Sequence, residues 1–156
     1  MALQFTKEKA PLTPKAIQEA EQRLGRKFPE DYKRFLLEHH GGHPEPCGFE
    51  FVQPRSNGEK DWALIAYFLG LDGKHETIAD YLVSYEDRIP RDTIPIARDP
   101  GGNPILLTLG GKNQGKVYFW MREHEPEDPD EVQEYDYLGF VANSLDEFLG
   151  ALTDPP

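Results

Sequence analysis

Cysteine is scarce in this chain, since Cys47 is the only one among 156 residues. A disulfide within the chain is therefore excluded, and a lone thiol is typical of proteins from reducing compartments. Long apolar runs are missing too: the uncharged and mostly apolar stretch at residues 62–71 is about half as long as a membrane-spanning helix. The first 14 residues contain no apolar segment like that of a signal peptide. We therefore expect a soluble, cytoplasmic protein.

Basic residues are few, because 17 Lys and Arg stand against 28 Asp and Glu, which gives a net charge of −11. This imbalance argues against binding to nucleic acid, whose phosphates are neutralised by clustered Lys and Arg, and against binding to an anionic membrane surface. The charge is also uneven, with a net +2 over residues 1–40 and a net −13 over residues 41–156. Residues 123–136, called the acidic segment below, contain eight acidic residues and no Lys or Arg.

The rest of the composition is that of one folded domain. Apolar residues make up 38% of the chain and charged residues 29%, values that support a packed core and argue against disorder. A chain of this length buries enough surface to fold without a metal or a disulfide. We place the domain at residues 13–152, between an N-terminal tail (1–12) and a C-terminal tail (153–156) whose prolines are typical of frayed ends.

A helical hairpin is predicted at the start of the domain. Thr13 is a good N-cap, Pro14 suits the first helical position, and Gly25 is placed to end the helix. A second helix begins at Pro29 and stops at Gly41. Its inner face comprises Tyr32, Phe35, Leu36 and His39.

The apolar pattern changes to that of strands after the hairpin. Phe49 and Phe51 alternate with polar residues, as in a half-buried strand, and residues 62–69 are apolar on both faces, as in a central strand. Further strands are predicted at 93–97, 105–109, 117–122 and 135–140, with a helix at 76–85 and a last helix capped by Ser144. The order predicts an α+β domain: a mainly antiparallel sheet of five to six strands, flanked by the N-terminal hairpin, the middle helix and the C-terminal helix.

Five sequence blocks occur in an order that is typical of one family. They are Ile17…Leu24-Gly25…Phe28-Pro29-Glu30-Asp31-Tyr32…Gly41-Gly42, Phe68-Leu69-Gly70-Leu71, Ile94-Pro95-Ile96-Ala97-Arg98-Asp99-Pro100-Gly101-Gly102-Asn103, Gly115-Lys116-Val117-Tyr118-Phe119-Trp120 and Ala142…Ser144-Leu145…Phe148-Leu149. This set resembles the SUKH superfamily, the Smi/Knr-type domains named partly after a fungal regulator of cell-wall glucan synthesis. The resemblance covers residues 13–152. One departure is His40, where many relatives carry Asn before the glycine pair.

The resemblance implies a protein-binding module and not an enzyme. Most bacterial members resemble immunity proteins, which bind and neutralise a cognate polymorphic toxin that is often a nuclease, whereas fungal members resemble signalling scaffolds. We therefore predict an immunity protein whose partner is a protein toxin. A scaffold or regulatory adaptor is the alternative, and a metal-dependent hydrolase is the least supported of the three.

The side chains that a hydrolase would need do not form a known motif. His39, His40, His43 and Cys47 lie close together, but their spacing matches no usual zinc site, and no Asn or Asp is evident to orient a base beside the thiol. The glycine pairs lie between predicted strands, as in turns, and not ahead of a helix as in phosphate-binding loops. We predict no catalytic, metal-binding or cofactor-binding residues.

The acidic segment has two interpretations. As a solvated loop it would only keep the protein soluble. As a binding surface it would mimic the charge of nucleic acid and cover the basic cleft of a nuclease toxin, which accelerates association. It lacks the spacing of a calcium-binding loop. The predicted partner-binding residues are its eight carboxylates: Glu123, Glu125, Glu127, Asp128, Asp130, Glu131, Glu134 and Asp136.

Overall fold

The computed structural model of the chain describes residues 3–155. Met1 and Ala2 of the predicted N-terminal tail, and Pro156 of the predicted C-terminal tail, lie outside the described residues. The α-helices are α1 (Pro14–Leu24), α2 (Glu30–Glu38), α3 (Ile78–Ser84) and α4 (Leu145–Gly150). The strands are β1 (Gln4–Thr6), β2 (His43–Glu45), β3 (Gly48–Val52), β4 (Lys60–Leu64), β5 (Tyr67–Phe68), β6 (Thr93–Arg98), β7 (Pro104–Thr108), β8 (Val117–Phe119) and β9 (Gly139–Ala142). Short 3-10 helices lie at Gly111–Asn113, Arg122–His124 and Pro129–Glu134.

The predicted helical hairpin is present, with its predicted caps. The Thr13 hydroxyl accepts a hydrogen bond from the backbone N–H of Ala16, and Gly25 ends α1 in the left-handed conformation at a φ of 67°. The carboxylate of Glu21 accepts the N–H of Phe28 at 2.8 Å, which ties the turn between the helices to α1. The helix α2 is shorter than predicted, because His39 has an extended backbone and ends it.

The main sheet is a five-stranded antiparallel meander in the order β5-β6-β7-β8-β9. Its centre, β6 and β7, is buried almost throughout. The turn between these two strands closes on Asp99, whose carboxylate accepts hydrogen bonds from the backbone N–H and the side-chain amide of Asn103 at 2.7 and 3.0 Å. With helices packed against antiparallel sheets, the α+β class is confirmed.

The prediction of one central strand over residues 62–69 is wrong. The run changes partners at its middle: β4 pairs with β3 in a separate two-stranded sheet, while β5 is an edge of the main sheet. The backbone N–H of Ile65 donates to Cys47 in the β3 region, but the N–H of Ala66 donates to Arg98 at the end of β6. The run is apolar because its second half is buried, whereas Trp62 in its first half is 43% exposed.

The strand predicted at residues 135–140 is displaced toward the C-terminus. The strand that pairs with β8 is β9, over Gly139–Ala142. Tyr135 has a left-handed backbone at a φ of 68° and ends a 3-10 helix, a conformation that a strand cannot include. The predicted helix over 76–85 begins later too, at Ile78, because the hydroxyl of Thr77 caps it.

Both predicted tails contain residues that pair with the domain. The expectation of a frayed N-terminal end does not hold for Gln4–Thr6, which pair with His43–Glu45. Lys9 then crosses Gly70 so closely that a Cβ there would lie 2.3 Å from its Cδ, which accounts for a glycine in the Phe68–Leu71 block. At the other end, Thr153 exchanges two backbone hydrogen bonds with Gly48.

Two hydrophobic cores lie on opposite faces of the main sheet. The larger contains the inner residues of α1, α2 and α4 together with Phe49 and Phe51 of β3. The smaller is mostly aromatic and comprises Tyr85, Ile89, Leu106, Tyr118, Trp120, Tyr137 and Leu138. Because side chains alternate between the faces of a strand, Phe119 belongs to the first core while Tyr118 and Trp120 belong to the second. Among the described residues, no helix has the length and apolar character needed to cross a membrane.

Candidate functional site

The histidines are held apart by separate partners. The Nδ1 atom of His39 lies 2.6 Å from a carboxylate oxygen of Glu8, and its ring stacks on Phe5 at 4.0 Å. The Nδ1 atom of His43 lies 2.7 Å from the carbonyl of Ala66. Within residues 3–155, no group of three or more His, Cys, Asp or Glu side chains could hold a metal ion.

His40 joins two segments of the fold. Its side chain is buried, with 2% of the residue exposed. Nδ1 lies 2.7 Å from the carbonyl of Ala10, and Nε2 accepts the buried N–H of Leu71 at 2.9 Å. Because one nitrogen donates and the other accepts, the ring is the neutral Nδ1–H tautomer. The departure from Asn at this position therefore supplies a link from the N-terminal segment to the chain after β5.

Cys47 is unsuited to nucleophilic attack. The residue is half-buried, and burial, together with the nearby Glu45 carboxylate, raises the pKa of the thiol. A raised pKa disfavours the thiolate, the form that attacks an electrophile.

The acidic segment is a folded structure and not a loose loop. It contains most of the 3-10 helix at Arg122–His124 and the whole of the one at Pro129–Glu134. The carboxylate of Asp128 caps the second helix by accepting the backbone N–H of Asp130 at 3.0 Å. Val132 is buried, and the hydroxyl of Tyr137 in the aromatic core donates to its carbonyl at 2.9 Å.

Two arginines from distant parts of the chain form ion pairs with the segment. Arg88 forms an ion pair with Glu125, and its guanidinium lies 5.2 Å from the centre of the Trp120 ring in the aromatic core. Arg55, in the β3–β4 loop, lies 3.9 Å from a carboxylate oxygen of Glu131 and 3.7 Å from one of Asp136. These three carboxylates therefore have cationic partners within the protein.

Four other carboxylates of the segment point to solvent with no cationic partner beyond an adjacent histidine. Glu127, Asp130 and Glu134 are exposed and form no ion pair among the described residues. Glu123 is exposed as well and contacts only His124, at 3.8 Å. The structure thus divides the predicted set into anchored carboxylates (Glu125, Glu131 and Asp136), one cap (Asp128) and free carboxylates (Glu123, Glu127, Asp130 and Glu134).

An open groove of about 480 Å³ adjoins the acidic segment. One side is β4, from Asp61 to Leu64, and the other is the turn from Asp99 to Asn103. Phe119, Met121 and Glu123 also line it. We call this groove the β4 groove. A second groove of about 350 Å³ shares Leu64 and Pro100 with it.

The sequence did not reveal the β4 groove. Trp62 was assigned to a buried central strand, yet it is one of the large exposed apolar residues of the structure. The polar neighbours Lys60 and Asp61 were the available signal, because charge beside an apolar run is typical of an edge strand.

A groove of similar volume lies between α1 and α2, but its chemistry differs. It is lined by Lys33 and Arg34 as well as by Glu21, Glu30 and the exposed Leu37. Lys33 is already paired with both of those glutamates. This groove lacks the excess of carboxylates that distinguishes the acidic segment.

Comparisons with known proteins agree with the resemblance seen in the sequence. The chain matches the model of the SMI1 / KNR4 family (SUKH-1) over residues 11–151. It is 33% identical over 156 residues to the SPbeta prophage-derived uncharacterized protein YokK of Bacillus subtilis (strain 168), in an alignment that covers 92% of this chain and 76% of that protein. No solved structure matches the chain.

Proposed function

This chain belongs to the SMI1 / KNR4 family (SUKH-1), and on that basis we propose that it is a non-enzymatic, cytoplasmic immunity protein. It binds a cognate protein toxin and neutralises it, and it needs no cofactor. The bacterial origin of the relative favours this function over the scaffold role of the fungal members. No membrane or nucleic acid takes part in binding, in keeping with the net charge of −11.

The observation that carries the proposal is an ordered surface with free negative charge. A disordered acidic loop would lose conformational freedom when it binds, and that loss weakens binding. Here the burial of Val132 and its hydrogen bond from Tyr137 order the acidic segment, and Arg55 and Arg88 pair with three of its carboxylates. Its four free carboxylates thereby lie on an ordered backbone that faces solvent and can meet a basic partner. Electrostatic complementarity of this kind raises association rates and excludes partners of the same charge.

The experiment is co-expression of the chain with the product of the adjacent gene. An immunity protein co-purifies with the toxin domain encoded there and restores growth to cells that express it. Salt should weaken the complex by slowing association, because the attraction acts between exposed charges. A toxin domain that neither co-purifies nor is neutralised would contradict the proposal. Co-purification with a signalling protein, without protection, would favour the scaffold.

A further inference from the structure

Within residues 3–155, the strand β4 leaves one of its edges without a partner strand. It pairs with β3 on one side only, with Gly48 opposite Leu64 and Val52 opposite Lys60. At both ends of this ladder the hydrogen bonds fall on odd-numbered residues: Ile65 donates to Cys47, and Gln53 donates to Glu59. Because antiparallel pairs alternate, Asp61 and Ala63 bond to β3. The backbone groups of Lys60, Trp62 and Leu64 therefore point away from it.

The outward backbone groups of Lys60 and Leu64 and the carbonyl of Trp62 are available to another chain, whereas the N–H of Trp62 already has an acceptor. The N–H of Trp62 donates to the carboxylate of its own neighbour Asp61, at 2.8 Å. No backbone hydrogen bond outside the β3 ladder reaches Lys60, Trp62 or Leu64 in the part of the chain that the structure describes. Proteins usually protect such an edge with proline, inward-pointing charge or a covering element. The edge of β4 instead opens on the β4 groove.

The side chains around the edge favour a basic occupant. Asp61, Asp99 and Glu123 line the groove, and Arg122 is the one cation among the lining residues. That arginine donates to the carbonyl of Gly101 at 2.9 Å, and its single charge leaves the lining with a net charge of −2. Lys60, at the start of β4, lies 3.9 Å from a carboxylate oxygen of Glu50. A second copy of the chain would bring the same carboxylates and a further net charge of −11 to this edge. Like charges opposed in this way disfavour self-association.

We propose that an extended, basic segment of the toxin adds to the free edge of β4 as a third strand. Its backbone pairs with the outward groups of Lys60 and Leu64 and with the carbonyl of Trp62, as in other cases of β-strand addition. The exposed Trp62 ring packs against a side chain of the added strand, and Lys or Arg side chains approach Asp61 and Glu123. This inference rests on the proposed function, since the occupant belongs to the toxin.

A proline at position 64 tests the backbone pairing directly. Leu64→Pro removes an outward N–H but leaves the ladder to β3, which uses the odd-numbered residues. Leu64→Ala is the matched control, because it removes most of the side chain and keeps the N–H. We expect Leu64→Pro to bind the toxin domain of the adjacent gene about 10-fold more weakly than Leu64→Ala. Equal affinities of the two folded variants would contradict the proposal.

Trp62 tests the side-chain contact against a residue of similar exposure. Trp62→Ala should weaken binding by about 10-fold or more, as expected of an aromatic residue at the centre of an interface. Leu37→Ala on α2 is the control, because Leu37 is 44% exposed and Trp62 is 43% exposed. We expect the Leu37 variant to bind within about 2-fold of wild type. If Trp62→Ala bound the toxin domain as tightly as wild type, Trp62 would not be part of the interface.

Hydrogen exchange keeps the proposal testable if Leu64→Pro fails to fold. The amides of Lys60 and Leu64, which have no acceptor in the free protein, should exchange more slowly in the complex of the wild-type chain. If wild type binds and protects while these amides exchange at unchanged rates, the docking edge is wrong and the proposed function stands. If wild type does not bind the toxin domain at all, the proposed function itself fails.

Discussion

At the scale of single residues, His40 shows how one side chain joins parts of the chain that are distant in sequence. Its two ring nitrogens contact the carbonyl of Ala10 and the N–H of Leu71, and the ring is buried between them. A neutral ring that donates once and accepts once is well suited to this position.

We predict that His40→Ala lowers the free energy of unfolding by about 2–4 kcal/mol. The variant would leave the buried N–H of Leu71 without an acceptor and would also create a cavity. The measurement is urea denaturation. His43→Ala serves as the control: His43 is only half-buried and makes a single hydrogen bond, so a loss of about 1 kcal/mol is expected. If both variants lost the same free energy of unfolding, the two hydrogen bonds of the His40 ring would add no more to stability than the one hydrogen bond of His43.

Tyr32 offers a second residue-scale test. The residue is 1% exposed and its hydroxyl has no hydrogen-bond partner among the described residues. An unpaired buried hydroxyl costs about 1–3 kcal/mol, so Tyr32→Phe should raise the free energy of unfolding by about 1 kcal/mol.

Tyr32→Ala, like Phe148→Ala, should lower the free energy of unfolding by about 3–5 kcal/mol, because each removes a fully buried ring. Thermal and urea unfolding measure both changes, and a destabilised Tyr32→Phe would reveal a partner for the hydroxyl.

At the scale of elements, the 14 residues of the acidic segment include both anchored and free carboxylates, besides the cap Asp128. Glu125, Glu131 and Asp136 form ion pairs with Arg88 and Arg55. The free carboxylates make no such contacts. Substitutions of the two groups should therefore have different effects, and the free group is the one that tests partner binding.

Neutralising the four free carboxylates should slow toxin association and leave the fold unchanged. We predict that a variant with Glu123→Gln, Glu127→Gln, Asp130→Asn and Glu134→Gln associates about 10-fold more slowly at low salt, with the difference shrinking as salt increases. Exposed charges contribute on the order of 0–1 kcal/mol each to folding, so the melting temperature should hardly move. Stopped-flow kinetics and thermal unfolding measure the two effects.

A control variant with the same net charge tests whether the position of the removed charges matters or only their number. It carries Glu19→Gln, Glu38→Gln, Glu86→Gln and Asp154→Asn, all exposed and outside the acidic segment. If both variants associate equally slowly, the position of the charges does not matter. If both associate as fast as wild type, the acidic segment serves solubility and the contact surface lies elsewhere.

At the scale of the whole molecule, the two cores supply the burial that a metal would otherwise have to provide. We predict that the protein purifies without stoichiometric zinc and that excess chelator shifts its melting temperature by less than about 1 °C. Metal analysis and thermal unfolding with and without chelator test this. One equivalent of zinc together with a large shift on chelation would contradict it.

Two half-buried tyrosines predict a loss of stability in alkaline solution. Burial, with Glu76 nearby, raises the pKa of Tyr81 to about 12, and burial, with Asp92 nearby, raises that of Tyr135 to about 12. In the unfolded chain these groups ionise near pH 10, so between about pH 10 and 12 the folded state retains protons that the unfolded state releases. The free energy of unfolding should therefore fall across this range. Urea denaturation at each pH should show a shallower fall for Tyr135→Phe.

Local signals in the sequence determined much of this fold. The caps at Thr13 and Ser144 and the glycine after α1 act on neighbouring backbone groups, so the helices they bound were predictable. The turn from Asp99 to Asn103 closes on its own side chains, and the alternation in β8 follows from the two-residue period of a strand. The concentration of acidic residues in one segment was equally evident.

Only the tertiary structure decided which partners those elements take. Periodicity reports that residues 62–69 are apolar, but not that Ile65 and Ala66 bond to different sheets. The division of the acidic segment depends on Arg55 and Arg88, which approach it from distant parts of the chain. The free edge of β4 likewise exists because no other strand in the described part of the chain reaches it. Sequence patterns record how polar each residue is, whereas pairing and charge neutralisation depend on distances between side chains that only the folded chain sets.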